Sequence, residues 1–171
     1  MLANPYSAML RFNVGHVLSK SVGFISEIRF SAQQVDVSSD LKLVRLLGDA
    51  CLTRTPPGIL FEGELDADRE MQCVRCLSEY LLHSKVVMSE LYTYPPDSES
   101  EWTIGEDCML NVAPLLREML LVEEPMKSLC GPHCKGLCHF CGQDWNLDRC
   151  ACVHETVDAR FTVLRKFLEA D

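Results

Sequence analysis

The alternation of apolar and polar side chains predicts strands over much of the first two-thirds of the chain. In the segment 58–66, Ile59, Phe61 and Leu65 fall on one face and Glu62, Glu64 and Asp66 on the other. That period of two is the signature of a half-buried antiparallel strand. Residues 41–53 are apolar and strand-compatible, and Pro56-Pro57-Gly58 supplies a turn between the two. Residues 80–94 form another long strand candidate, closed by Pro95-Pro96, and residues 22–30 a weaker one. Consecutive strands joined by short turns predict an antiparallel sheet or a small, partly open barrel.

The period then changes. Residues 95–107 are polar and acidic and read as a surface loop. After them Asn111 can cap a helix, and Pro114 suits its first turn. Leu115, Leu116, Met119 and Leu120 make one apolar stripe with Arg117 and Glu118 outside it, and Pro125 prevents continuation. A second helix is predicted over 156–168, where Val157, Phe161, Leu164 and Leu168 share a face. The fold class expected is therefore α+β: a sheet or open barrel, a helix, a cysteine-rich segment and a C-terminal helix. Residues 1–125 are expected to form the β-rich core domain with its terminal helix, and 126–171 a zinc-knuckle segment and C-terminal helix packed on that core.

Composition narrows the class. The 171 residues are 47% hydrophobic and 24% charged, ordinary for a globular chain that can bury a core without staples. No apolar run reaches the ~18–20 residues that span a bilayer, and the first ten residues lack a basic start and a clean apolar block. A cytoplasmic location is expected, with the thiols reduced. The net charge of −9 lies wholly in residues 1–125, and residues 126–171 balance to zero. No basic face for non-specific phosphate neutralisation is evident from composition. Contact with nucleic acid is therefore expected to be local or made through a protein partner.

The cysteines carry the chemistry. Eight of ten fall into four short pairs: Cys73/Cys76, Cys130/Cys134, Cys138/Cys141 and Cys150/Cys152. A tight turn between paired cysteines aims two sulfurs at one metal, and two such turns complete a tetrahedral zinc shell. Cys138-His-Phe-Cys141-Gly142 has this knuckle form, with a glycine where the chain turns back. Proximity along the chain favours Cys138, Cys141, Cys150 and Cys152 as one site, closed by a short polar loop. That leaves Cys73 and Cys76 with Cys130 and Cys134. A rival pairing places Cys130, Cys134, Cys138 and Cys141 on one metal. Either way, one or two Zn²⁺ ions are expected, in a structural role, because a full thiolate shell leaves no position open for catalysis. His133, His139 and His154 lie among the cysteines and are expected at the surface or outside the ligand shell. Cys51 and Cys108 are expected in packing.

Other chemistry is weakly signalled. Arg75 inside the first C-x-x-C favours a thiolate, but no thioredoxin-like βαβ pattern surrounds it. A redox-responsive zinc–thiolate switch is the alternative function, and an interaction protein is another. The sequence has no G-x-S-x-G, no H-E-x-x-H and no glycine-rich phosphate loop, so no enzyme is expected. Glu62, Glu64, Asp66 and Asp68 read as a solvated face, and Glu123-Glu124 as a helix end without a special role.

From Leu129 to Gly142 the text L-C-G-P-H-C-K-G-L-C-H-F-C-G is followed by Trp145-Asn146-Leu147 and Cys150-Ala151-Cys152. Upstream stands Cys73-Val74-Arg75-Cys76-Leu77, and between them Pro114-Leu115-Leu116-Arg117-Glu118. Together these resemble the large ribosomal RNA subunit accumulation family, the YceD-like proteins, over most of 58–168. Val157-Asp158-Ala159-Arg160-Phe161 is similar to that family's D-P-R motif, with Ala159 in place of proline. The resemblance implies a non-enzymatic cytoplasmic factor in accumulation or processing of large-subunit rRNA, and hence in ribosome assembly. It also implies that Cys73 and Cys76 belong with Cys130 and Cys134. The expected partner is a large-subunit precursor, through rRNA, a ribosomal protein or both, with no membrane and no small-molecule substrate. Lys127, Lys135, Trp145, Arg149, Arg160, Arg165 and Lys166 are the candidate contacts. Phe140 is a further aromatic available for stacking.

Overall fold

The structure is a computed structural model and describes residues 10–152. The second expected helix, with His154, Arg160, Arg165 and Lys166, lies outside the described residues. The described residues divide into two compact units, 10–74 with 78–130, and 75–77 with 131–152.

The first unit is built on a four-stranded antiparallel meander in the order β2-β3-β4-β5. Its strands are β2 (Ile25–Asp36), β3 (Lys42–Thr55), β4 (Gly58–Gln72) and β5 (Glu79–Thr93), following β1 (Arg11–Asn13) and α1 (Gly15–Leu18). A short second sheet pairs β1 with β6 (Met109–Asn111), and α2 (Ala113–Val122) follows. Among the described residues the fold is thus mostly antiparallel sheet with few helices, and each neighbour in the meander is also the neighbour in sequence.

Ile59, Phe61, Leu65 and Ala67 of β4 are buried while Glu62, Glu64 and Asp66 face solvent. Phe30 and Val35 of β2 are both buried although five residues apart, because Gln34 takes φ +54° and breaks the alternation. Leu115, Leu116 and Leu120 of α2 are fully buried, each contributing about 1.5–3 kcal/mol of apolar burial. Asn111 Oδ1 accepts from the Ala113 amide at 3.2 Å, so it serves the helix start from one position further out than a cap proper. Arg117, on the outer face as expected, donates to Asp40 Oδ2 at 2.6 Å.

Three expectations are corrected. Residues 95–107 are not simply a surface loop: Ile104 is fully buried, and the loop hydrogen-bonds to β5 through Thr93 N–Trp102 O and Ile104 N–Thr93 O. Two apolar residues in an acidic stretch suffice to pin it, with Trp102 against Tyr92 at 5.9 Å between ring centroids. Asp68 does not belong to the solvated face. It is 7% exposed, opposite Arg45 on one side and His83 on the other. Arg45 Nε and His83 Nδ1 each lie 2.6 Å from its carboxylate. The Arg45 hydrogen bond, and then the His83 one, hold the carboxyl below the usual carboxylate range. Finally, Glu124 has a definite role. Arg69 sits on the core side of β4, 4% exposed, and its Nη2 lies 3.2 Å from Glu124 Oε2 just beyond α2.

Candidate metal centre

The second unit is a set of tight turns, and its backbone hydrogen bonds explain how they hold. The Arg75 carbonyl accepts from the Leu137 amide at 3.1 Å, and Arg75 Nη1 donates to the Cys134 carbonyl at 2.9 Å. Gly136 lies against this stretch at φ +78°. An added Cβ would stand 3.1 Å from the Arg75 carbonyl oxygen, so both the conformation and the space favour glycine. The knuckle at Cys138 closes through Gly142 N–Cys138 O at 2.8 Å and Cys138 N–Gln143 O at 2.8 Å, with Gly142 at φ +74°. Leu137 and Asp144 form an antiparallel bridge across it, and Trp145 N donates to the Gly136 carbonyl at 3.0 Å.

These turns and the β4–β5 connection gather the paired cysteines into two groups. Cys73, Cys76, Cys130 and Cys134 form one, and Cys138, Cys141, Cys150 and Cys152 the other, with the sulfurs of each group all within 4.8 Å of one another. Four sulfurs on a zinc ion at 2.3 Å stand about 3.8 Å apart in a regular tetrahedron. The spacing therefore fits a metal ion with small adjustment, and the all-sulfur donor set suits zinc. Cys73, Cys76, Cys134 and Cys138 are buried, Cys150 and Cys152 half-buried, and Cys130 and Cys141 exposed. The rival grouping of Cys130, Cys134, Cys138 and Cys141 is not the one the backbone forms.

Electrostatics point the same way. The Cys152 thiol is pushed up to about 12, first by its hydrogen bond with Cys141, then by burial and by Cys150 and Cys138. Four thiolates this close repel one another, and a divalent cation among them removes that penalty. Side-chain donors add to it. Trp145 Nε1 lies 3.4 Å from Cys150 Sγ, and Asn146 Nδ2 lies 3.5 Å from Cys134 Sγ. Neighbouring residues thus each donate to a sulfur of a different group. Asn146 is further held by Lys135 N on its Oδ1 at 2.8 Å and by its own Nδ2 on Asp144 Oδ1 at 2.8 Å. The role of Asn146 as a sulfur partner is not among the sequence expectations, although it lies in the Trp-Asn-Leu step. The only local signal was a polar amide between two cysteine pairs.

The remaining candidates are distributed as follows. Lys135, Trp145 and Arg149 line one pocket together with Cys150. Lys127 is exposed in the segment after α2. Phe140 is 63% exposed and its ring lies 4.1 Å from that of His139. His133 and His139 are exposed and belong to neither four-sulfur group. Cys51 and Cys108 are half-buried. Among the described residues, no helix is long and apolar enough to cross a membrane.

An antiparallel sheet and two cysteine tetrads that could each hold a metal ion define the class. Residues 61–168 match the family described as Large ribosomal RNA subunit accumulation protein YceD, and the chain belongs to that family. It is similar to an uncharacterised protein of Mycobacterium bovis, 31% identical over 121 residues, which cover 65% of this chain and 56% of the relative. A protein of Mycobacterium tuberculosis has the same identity and coverage. One from Mycobacterium leprae is 26% identical over 120 residues, 66% of this chain and 54% of its own length. The chain thus spans little more than half the length of these relatives. No solved structure matches it.

Proposed function

We propose that this protein is a non-enzymatic factor in large-subunit rRNA accumulation and ribosome assembly, built around two structural tetrathiolate zinc sites. The observation that carries this reading is the pair of cysteine tetrads in a chain of the YceD family. Cys73, Cys76, Cys130 and Cys134 hold one ion, and Cys138, Cys141, Cys150 and Cys152 the other. Zinc there supplies fixed geometry, and a closed thiolate shell leaves it no open coordination position. Each filled site carries about −2, because four thiolates outweigh the metal. The acidic outer face, with Glu62, Glu64 and Asp66 exposed on β4, suits a basic ribosomal protein, because opposite charge orients encounter. The partner is a large-subunit precursor in the cytoplasm.

The test is depletion followed by sedimentation of ribosomal particles. Accumulation of large-subunit precursors, with a fall in mature large-subunit rRNA, is the expected result. An unchanged profile overturns the reading. A redox-responsive switch is favoured by one observation, the exposure of Cys130 and Cys141, one in each tetrad. It predicts zinc release by sub-millimolar peroxide together with a change in particle association, and inert zinc refutes it.

A further inference from the structure

The second unit holds a pocket of about 450 Å³ lined by Lys135, Trp145, Arg149 and Cys150. Its volume falls within the ~300–1,000 Å³ of small-molecule sites. Three features give it a chemistry. The wall includes an indole, which offers a flat surface to any base. It includes two cations, whose side chains form no ion pair among the described residues. And the indole is held: Trp145 Nε1 lies 3.4 Å from Cys150 Sγ, while Trp145 N donates to the Gly136 carbonyl at 3.0 Å.

We propose that this pocket binds one unstacked nucleotide of single-stranded RNA, with the base against Trp145 and the phosphates between Lys135 and Arg149. The inference rests on the rRNA reading above and supplies its point of contact. A single strand fits better than a duplex, because bases in a duplex are stacked and their faces hidden. An acidic chain with net charge −9 cannot grip nucleic acid through a broad basic face. It can do so through one aromatic platform with two cations, where stacking contributes a sequence-tolerant share of affinity. An acidic peptide would engage Lys135 and Arg149 but leave the indole without a stacking partner. The Trp145–Cys150 contact also implies that the platform is set by the same sulfurs that group with Cys138, Cys141 and Cys152.

The test uses the full chain, a fluorescein-labelled 12-nucleotide RNA without secondary structure, and the same RNA annealed to its complement. Binding is read by anisotropy and by quenching of tryptophan fluorescence in a Trp102→Phe background, which leaves Trp145 as the reporter. The expected result is quenching by the single strand, with the duplex at least tenfold weaker. Trp145→Ala should weaken binding tenfold or more, and Trp145→Phe less than threefold, because phenylalanine keeps a stacking face. Lys135→Glu with Arg149→Glu should lower the salt dependence by about 1.4 in log–log slope. Elemental mass spectrometry of each variant separates loss of the platform from loss of the metal.

Failure of the single strand to quench at micromolar protein, with metal content intact, overturns the proposal. So does equal binding of the duplex, or binding that Trp145→Ala and the charge reversals leave unchanged. Quenching by an acidic peptide and not by RNA overturns it too. The outcomes are separable from those of the broader reading. If depletion still disturbs large-subunit rRNA while the pocket ignores RNA, only the pocket proposal falls.

Discussion

Asn146 Nδ2 stands 3.5 Å from Cys134 Sγ, and its Oδ1 accepts from the Lys135 amide at 2.8 Å. One amide therefore holds the loop that carries Cys134 and donates to the sulfur itself. Groups just outside a metal's ligand shell commonly change affinity ten- to a hundredfold. Asn146→Ala should weaken zinc binding at that tetrad by about tenfold or more. Asn146→Asp should weaken it further, because it replaces a donor with a negative charge beside thiolates. Competition against a chromophoric chelator measures both. Unchanged affinity in the two variants would remove Asn146 from the site.

Metal stoichiometry checks the two-site reading directly. Wild-type protein should carry two zinc ions, and Cys73→Ser with Cys76→Ser should carry one. Cys138→Ser with Cys141→Ser should also carry one. Metal binding to such clusters is coupled to folding, so chelation should expose the segment around 131–152 to protease. Protease resistance that survives complete zinc removal would contradict the structural role.

Arg69 and Glu124 form an asymmetric pair, the arginine 4% exposed and the glutamate carboxylate about a third exposed. Removing Glu124 leaves a buried charge with less compensation, whereas removing Arg69 leaves a carboxylate that water can solvate. Glu124→Gln should destabilise the first unit by about 1–3 kcal/mol. Arg69→Met should be nearly neutral or stabilising. Urea unfolding midpoints of the two variants should shift in that order, and equal losses would count against the argument.

Asp68 predicts a pH dependence. Arg45, and then His83, hold its carboxyl below the ordinary range. A depressed native pKa contributes stability above the unfolded pKa of about 3.9, and loses it as pH falls through the lower native value. Asp68→Asn should cost about 1–3 kcal/mol at pH 7. The difference between wild type and variant should hold down to about pH 5 and shrink below pH 4. A difference that grows on acidification would show that the sign is wrong.

Much of this architecture is legible in the sequence. The alternation around Ile59, Phe61 and Leu65 announced β4, and the leucine stripe of 115–120 announced α2, because local periodicity reports which face is buried. Asp68 was misread because alternation says which side a residue faces, not what stands beside it. Across β3 and β5 the register sets Arg45 and His83 against it. Ile104 and Trp102 were hidden in an acidic stretch whose average polarity outweighed two anchors.

The sequence by itself determined the strands β3, β4 and β5, the helix at 113–122, the family and the eight cysteines in four pairs. Their close spacing makes each pair a property of a few bonds. Only the tertiary structure decided how pairs combine, which carboxylate meets Arg69, and that Lys135, Trp145 and Arg149 share a pocket. Those relations join residues up to 61 positions apart, as with Cys73 and Cys134. A chain folds back on itself by burying surface and closing hydrogen bonds across such separations, and no local pattern of side chains records which distant partner it will meet.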